Sequence, residues 1–225
     1  MDQSDVWLVV PMYNEGQVVA DVVSHARQTF PNVVCVDDGS RDDSAAAAAA
    51  GGAVVVRHPI NLGQGAALQT GIEYARAQSG AGYLVTFDAD GQHNIADVER
   101  MIARLRAEPL DIILGTRFHG DVSHIPLVKR IVLKTAVAVS PRNRRLKLTD
   151  AHNGLRAFTK SAADRIQLTA NGMAHADEFV DLIDRLQLRV AEEPVHINYT
   201  EYSMSKGQSI LNGVNIVFDS AVRRR

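Results

Sequence analysis

The segment YLVTFDADGQH, residues 83–93, joins a short apolar run to a cluster of polar residues. The run 83–88 has the length and composition of a buried β-strand. Asp88 and Asp90 follow at alternating positions, so both carboxylates can point toward one site. Two facing carboxylates repel each other unless a cation lies between them, and a hard divalent ion is the usual partner. The segment therefore predicts a strand that ends in a metal site, with Gln92 as a neutral oxygen ligand.

Short apolar runs alternate with helical patterns on both sides of this segment. Residues 15–30, for example, place Val18, Val22 and Ala26 on one helical face. Such alternation predicts an α/β fold with a mostly parallel central sheet and helices on both faces. The predicted strands are 6–10, 33–37, 53–57, 83–88 and 111–115, and the predicted helices are 15–30, 42–50, 64–78 and 95–107.

The second half of the chain has a less regular pattern. Residues 155–159 and 189–199 are predicted strands, and the predicted helices are 125–139, 174–186 and 207–222. No stretch has the length and composition of an interdomain linker, so we expect one domain over residues 1–225.

Composition and charge exclude several classes of protein. The chain has 225 residues, of which 46% are hydrophobic and 22% charged, as in an ordinary globular domain. Its formal net charge of −2 predicts no nucleic-acid partner. Cys35 is the one cysteine, which excludes an internal disulfide and fits a reducing cytoplasm. Neither a signal peptide nor an apolar run of about 20 residues is visible, so we expect no membrane-spanning segment.

Polar residues follow each of the five strands predicted in the first half. In a parallel sheet, ligands bind beyond the carboxyl ends of the strands. Each cluster alone could be a turn or the start of a helix, but five at one edge favour a binding site. The clusters are residues 11–15, 37–40, 58–65, 88–93 and 116–117.

The same segments carry a resemblance to a known family. VVPMYNE (9–15), DDGS (37–40), NLGQGA (61–66) and FDADGQH (87–93) resemble the successive motifs of family 2 glycosyltransferases. Within that family the order and spacing are most similar to the polyprenyl-phosphate sugar transferases, including dolichyl-phosphate mannose synthases. The later segments GTR (115–117), DAHNGLRAF (150–158) and KGQS (206–209) are similar to acceptor-side motifs of that group.

This resemblance implies a GT-A fold and a division of the chain into parts. Residues 6–117 would form the nucleotide-sugar-binding half, 118–210 the acceptor-side half, and 211–225 a C-terminal helix with a basic tail. A Mg²⁺ or Mn²⁺ ion would be held by Asp88, Asp90 and Gln92.

The resemblance also implies roles for single residues. The nucleotide sugar, GDP-mannose or a UDP-hexose, would contact Pro11, Tyr13, Glu15, Asp38, Asn61, Gly65, Asp88, Ala89, Asp90 and Lys206. The acceptor phosphate would contact Arg117, Arg130, Lys134 and Arg156. The catalytic residues would be Asp88, Asp90 and Arg117. Lys206 lies in a polar stretch, 200–208, that we expect to be a mobile loop that closes over the donor diphosphate.

The leading hypothesis is therefore inverting transfer of a hexose to undecaprenyl or dolichyl phosphate at the cytoplasmic face of the membrane. The stretch 125–139 predicts an amphipathic helix whose basic side carries Lys129, Arg130 and Lys134. Such a helix can lie on a membrane surface, although a core helix with a solvated basic face has the same pattern. The chain is expected to be peripheral, and a small integral membrane protein is an expected partner.

Two alternatives stay open at the level of sequence. Transfer to a hydroxyl of a saccharide or protein would need a carboxylate base, for which Asp177 and Glu178 are the candidates. A non-catalytic nucleotide-sugar-binding subunit of a membrane complex would need neither an intact carboxylate pair nor Arg117.

Overall fold

The computed structural model describes residues 2–117, 146, 148–150 and 153–198. Within these residues seven strands form one sheet, with the order β3-β2-β1-β4-β6-β5-β7. The strands are β1 Val6–Met12, β2 Asn32–Asp37, β3 Val54–Arg57, β4 Tyr83–Thr86, β5 Ile112–Thr116, β6 Arg156–Thr159 and β7 Val190–Pro194. The helices are α1 Val19–Arg27, α2 Ser44–Ala50, α3 Gln64–Arg76, α4 Ile95–Ala107, α5 Lys160–Arg165 and α6 His175–Arg185.

Of the described strands, six run in one direction and β6 alone runs the other way. β1 is parallel to β2 and β4, and β3 is parallel to β2. β6 lies antiparallel between β4 and β5, and β7 is parallel to β5. The predicted mostly parallel sheet is confirmed. The carboxyl ends of β1 to β5 consequently share one edge, and β6 begins at that same edge.

Both faces of the sheet are covered, which explains why the strands are continuous apolar runs. Successive residues of β1 pack into different halves of the core because side chains alternate between the two faces. Leu8 and Val10 pack in the cluster that contains residues of α1 and α4. Val9 packs in the opposite cluster, with residues of α3, α5 and α6.

The predicted elements differ from the observed ones mainly at their ends. The first helix begins at Val19 rather than residue 15, because the chain first turns through Asn14, whose φ is 55°. The amide of Glu15 is held there by the Ser44 hydroxyl, 2.7 Å away. α5 was not predicted, and its N-cap is Thr159, whose hydroxyl accepts a hydrogen bond from the Ala162 amide.

Two predicted helices, 125–139 and 207–222, lie outside the described residues. Among the residues that are described, no helix is long and apolar enough to cross a membrane.

Helix α3 approaches the sheet closely at Gly71, where a Cβ atom would overlap the Val9 side chain of β1. We therefore expect Gly71→Ala to lower the free energy of unfolding by about 1–3 kcal/mol, the usual cost of overpacking. Alanine's better helix propensity would offset less than this. Urea denaturation measures the effect, with Gly172→Ala as control, since a Cβ there meets nothing within 4 Å. Equal stability of the two variants would contradict the close contact.

Candidate active site

The five polar segments predicted to meet at one edge of the sheet do so, in the order of the strands. Residues 58–65 follow β3, Asp38 follows β2, Tyr13 follows β1 and Asp88 follows β4. Arg156 opens β6, and Arg117 follows β5. The edge therefore presents acidic groups on the β2 and β4 side and two arginines on the β6 and β5 side.

Asp88 is fixed by its neighbours on both sides. His93 Nε2 lies 2.9 Å from Asp88 Oδ2, and the His93 ring packs edge-on against Phe87. Gly154 approaches from β6 so closely that a Cβ there would collide with the Asp88 carboxylate. Burial works against ionisation of Asp88, but the charge and hydrogen bond of His93 and the charge of Arg156 outweigh it. The pKa of Asp88 is held below its usual value as a result.

The pKa of Asp90 moves in the opposite direction. Burial and the negative charge of Asp88 raise it, against a 3.1 Å hydrogen bond from the Gln92 amide to Asp90 Oδ1. One lowered and one raised pKa is the behaviour of two carboxylates that share a site. A divalent cation would relieve their repulsion. No group of three His, Cys, Asp or Glu side chains within the described ranges could hold a metal, so substrate phosphates would have to complete the ligand set.

Arg117 is held by a buried carboxylate that the sequence analysis did not assign. Its Nε and Nη2 atoms donate to the two oxygens of Asp150 at 2.6 and 2.7 Å. Glu192 of β7 accepts hydrogen bonds from the amides of Thr149 and Asp150, at 2.7 and 3.0 Å. A bidentate pair of this kind fixes both position and orientation of the guanidinium.

Arg156 is the unusual group of the site. Its side chain is almost fully buried, with 2% of the residue exposed, yet it makes no hydrogen bond to any described residue. Its guanidinium lies over the ring of Phe179, 4.7 Å from the centroid. Burial lowers the pKa of Arg156 to about 10, against the raising effect of Asp88 and Asp150. The group is therefore still charged at pH 7, and its N–H donors, which have no partner among the described residues, could donate to a ligand.

The glycine-rich loop before α3 is tied to the protein rather than open. Asp38 accepts hydrogen bonds from the amides of Leu62 and Gly63, at 2.9 and 2.7 Å. The amide of Gly65 donates to the carbonyl of Asn171 at 2.7 Å. A Cβ at Gly65 would overlap the carbonyl of Ala170, the residue before Asn171. These glycines are required by a close backbone approach, and donor contacts of Asp38, Asn61 and Gly65 stay predictions.

Glu178, one of the two candidate bases, is engaged elsewhere. Its carboxylate accepts hydrogen bonds from the amides of Thr169 and Ala170, at 3.0 and 2.8 Å. It thereby holds the segment that packs on the glycine-rich loop. Asp177, the other candidate base, is half-buried, and its side chain or backbone is also engaged in an interaction within the protein.

Comparison with known proteins identifies the family. The model of glycosyl transferase family 2 matches residues 7–167. The chain belongs to this family. It is therefore a glycosyltransferase.

Two relatives of this glycosyltransferase act on lipid phosphates according to their names. It is 29% identical to a UDP-N-acetylglucosamine–dolichyl-phosphate N-acetylglucosaminyltransferase of Methanococcus voltae, over 95% of this chain and 93% of the relative. It is 27% identical to a polyprenol monophosphomannose synthase of Mycolicibacterium smegmatis, over 97% and 87% of the two chains.

Solved structures identify the fold of the glycosyltransferase as GT-A. Glucosyl-3-phosphoglycerate synthase from Mycobacterium tuberculosis, in complex with Mn²⁺, UDP and glucosyl-3-phosphoglycerate, superimposes with a TM-score of 0.69 at 20% identity. The match covers 95% of this chain and 76% of that one.

The remaining predicted site residues of the glycosyltransferase are placed as follows. Pro11 lies in β1, Ala89 is buried, and Tyr13 is exposed at the edge of the sheet. Glu15 lies in the turn before α1, and its negative charge adds to the effects of burial and Asp88 that raise the pKa of Asp90. Arg130, Lys134 and Lys206 lie outside the described residues.

The segment after β7 returns to the carboxylate loop. Ile197 forms a bridge with His93, and the Asn198 amide donates to the Gln92 carbonyl at 2.9 Å. The sequence analysis missed this contact, because nothing in residues 195–198 marks them as partners of a loop a hundred positions earlier. It also left His93 and Asp150 without a role, although both lie inside the quoted motifs.

The contact between Gly154 and Asp88 yields a test of the site of this glycosyltransferase. If Asp88 has its predicted role, we expect Gly154→Ala to lower kcat by about a factor of ten or more, because a misplacement of about 1 Å in an active site can cost a hundredfold. Sugar transfer measured with purified protein, alongside a thermal melt, would check this. A variant with normal kcat and a normal melt would show that Asp88 need not stay where it lies.

Proposed function

We propose that this glycosyltransferase transfers a hexose from a nucleotide sugar to a polyprenyl phosphate, with a divalent metal and with inversion. The observation that carries the proposal is the arrangement at one edge of the sheet. A carboxylate pair after β4 lies two strands from an arginine after β5, and a second arginine lies between them. Such an edge suits two phosphate groups with a sugar between them. The names of the two relatives support a lipid phosphate as acceptor.

On this proposal the donor occupies the β2, β1 and β4 side of the edge. Its nucleoside would lie against Pro11, Tyr13, Glu15, Asp38 and Asn61, and its diphosphate beside Asp88 and Asp90. Mg²⁺ or Mn²⁺, held by Asp88, Asp90 and Gln92, would supply neutralisation of the charge on the departing diphosphate. The related fold that was solved with Mn²⁺ and UDP supports this choice of ions.

The acceptor occupies the β5 side. Arg117, fixed by Asp150, would bind the acceptor phosphate together with Arg130 and Lys134. An oxygen of this phosphate forms the bond to the anomeric carbon while the bond from that carbon to the diphosphate oxygen breaks, and the diphosphate leaves with the electron pair. The phosphate is already an anion at pH 7, so no general base is required. The engagement of Glu178 with Thr169 and Ala170 agrees with this.

An enzyme with a lipid acceptor must reach that acceptor at a membrane surface. We propose that the enzyme is peripheral at the cytoplasmic face, and that the stretch 122–149, which contains seven Lys or Arg and no Asp or Glu, approaches anionic headgroups. A small integral membrane protein would be a further anchor. Lys206 would reach the diphosphate from the segment that follows Asn198, whose amide is bonded to the carboxylate loop.

The metal assignment predicts that Asp90→Ala abolishes sugar transfer and leaves the fold intact. Asp90 lies at the edge of the sheet and contributes little to the core, so the thermal melt should not change. Transfer of radiolabelled sugar into organic-extractable lipid, with Mn²⁺ or with EDTA, measures the effect. Full activity of Asp90→Ala in EDTA would falsify the assignment.

The acceptor assignment predicts that Arg117→Ala lowers kcat/KM for polyprenyl phosphate about ten- to a hundredfold, the worth of one charged hydrogen-bonding partner. Donor affinity should be unchanged. Because removal of Arg117 alone leaves the buried Asp150 carboxylate unpaired, the variant is best compared in an Asp150→Asn background.

Asp177→Asn and Glu178→Gln test the alternative hypothesis, in which the acceptor is a hydroxyl and one of these carboxylates is the base. Both should retain transfer to lipid phosphate. If Arg117 is dispensable while either carboxylate is essential, a hydroxyl acceptor becomes the better hypothesis.

A further inference from the structure

The strand order leaves one position at the edge of the sheet between the donor diphosphate and the acceptor phosphate. That position belongs to β6, whose first residue, Arg156, pairs with Thr86 of β4 on one side and Leu114 of β5 on the other. Neighbouring strands lie about 4.8 Å apart, so β4 and β5 are roughly 10 Å apart across β6. In-line attack puts the sugar between the two phosphates. If the proposed function is right, the sugar therefore lies next to Arg156.

Helix α6 carries a second buried polar side chain in the neighbourhood of Arg156. His175 lies one turn before Phe179, the residue on which the Arg156 guanidinium rests, so both project from the same side of the helix. His175 is 4% exposed. Its charge interactions with Arg156 and Asp88 put it within electrostatic reach of both.

The hydrogen bond of His175 determines which of its two ring nitrogens carries the proton and which can accept a hydrogen bond from a ligand. Nδ1 lies 2.9 Å from the carbonyl oxygen of Gly172, which can only accept, so Nδ1 carries the proton. Burial and the positive charge of Arg156 lower the pKa of His175, which favours the neutral ring. Nε2 of a neutral ring protonated at Nδ1 is an acceptor, and it makes no hydrogen bond to any residue that the structure describes.

We propose that Arg156 and His175 bind the transferred sugar, through a group that accepts a hydrogen bond from the guanidinium and donates one to Nε2 of His175. A sugar hydroxyl meets both requirements, and so does an acetamido group, with its carbonyl toward Arg156 and its N–H toward His175. A carboxylate or a phosphate dianion meets only the first, because neither has a proton to donate. This inference rests on the proposed donor site and moves Arg156 from the acceptor phosphate to the sugar.

The test compares each nucleotide sugar with the nucleoside diphosphate that lacks the sugar. UDP-N-acetylglucosamine, UDP-glucose and GDP-mannose are titrated calorimetrically against UDP or GDP in the presence of Mn²⁺. Without an acceptor, the change that a substitution causes in the ratio of the two affinities reports the sugar contacts, because the difference in charge between the free diphosphate and its sugar ester is the same in wild type and variant. The experiment does not depend on whether the acceptor is a lipid phosphate.

Two substitutions of His175 separate the role of Nε2 from that of the ring as a whole. His175→Asn keeps a donor for the Gly172 carbonyl but has no atom at the position of Nε2. It should weaken the nucleotide sugar about three- to tenfold, the worth of one neutral hydrogen bond, and leave the diphosphate unchanged. His175→Gln can place an amide oxygen near the position of Nε2 and should recover most of the loss. An unchanged ratio in His175→Asn, or an equal loss in both variants, would overturn the proposal.

Arg156→Gln tests the same sugar site independently of the His175 variants. It should also weaken nucleotide-sugar binding selectively, by about ten- to a hundredfold for a charged partner. If it leaves donor affinity unchanged and raises only the KM for polyprenyl phosphate, Arg156 belongs to the acceptor phosphate and the inference fails.

The same titrations identify the sugar group. A loss in His175→Asn confined to UDP-N-acetylglucosamine would assign the acetamido group, and a similar loss with UDP-glucose would assign a hydroxyl. Selective loss of sugar affinity in a protein that fails to glycosylate polyprenyl phosphate would support the sugar site and refute the proposed acceptor.

Discussion

The entry of β6 into the sheet beside β4 is the constraint on which the rest of the site depends. The Thr86 hydroxyl donates to the Gly154 carbonyl at 2.6 Å, and Gly154 lies against the Asp88 carboxylate with no room for a Cβ atom. The reversed strand that follows then places Arg156 beside β4. Without this close approach, Arg156 would not lie beside the carboxylates that follow β4.

The charges that meet at this edge of the sheet act on one another's ionisation. Asp88 and Asp90 repel, and Arg156 lies near enough to lower the pKa of Asp88. Asp150 pairs with Arg117 and also favours the charged form of Arg156. Buried charges are tolerated only when opposite charges and hydrogen bonds compensate them. Among the described residues Arg156 has opposite charges nearby but no hydrogen-bond partner, which is the state expected of a side chain whose partner is a substrate.

The glycine-rich loop shows how a motif can serve folding and function at once. In sequence it resembles a phosphate-binding loop at the start of a helix. In the structure its amides are bonded to Asp38 and to the Asn171 carbonyl. The loop is therefore a support for the β2 side of the edge, held in turn by the segment that Glu178 anchors. A one-dimensional motif cannot distinguish these cases, because it does not show what lies opposite the amides.

The sequence by itself determined the strands, their shared edge and the carboxylate pair, because each of these follows from local periodicity and from the position of polar residues after apolar runs. It predicted strand 155–159 but not its direction or its place between β4 and β5. Those depend on which strand edges are free once the first half has folded, a choice made by long-range pairing. The tie between Arg117 and Asp150, the buried state of Arg156 and the single accepting nitrogen of His175 likewise arise only when distant segments pack together. The tertiary structure decided them, since burial and hydrogen-bond partners are properties of the packed chain.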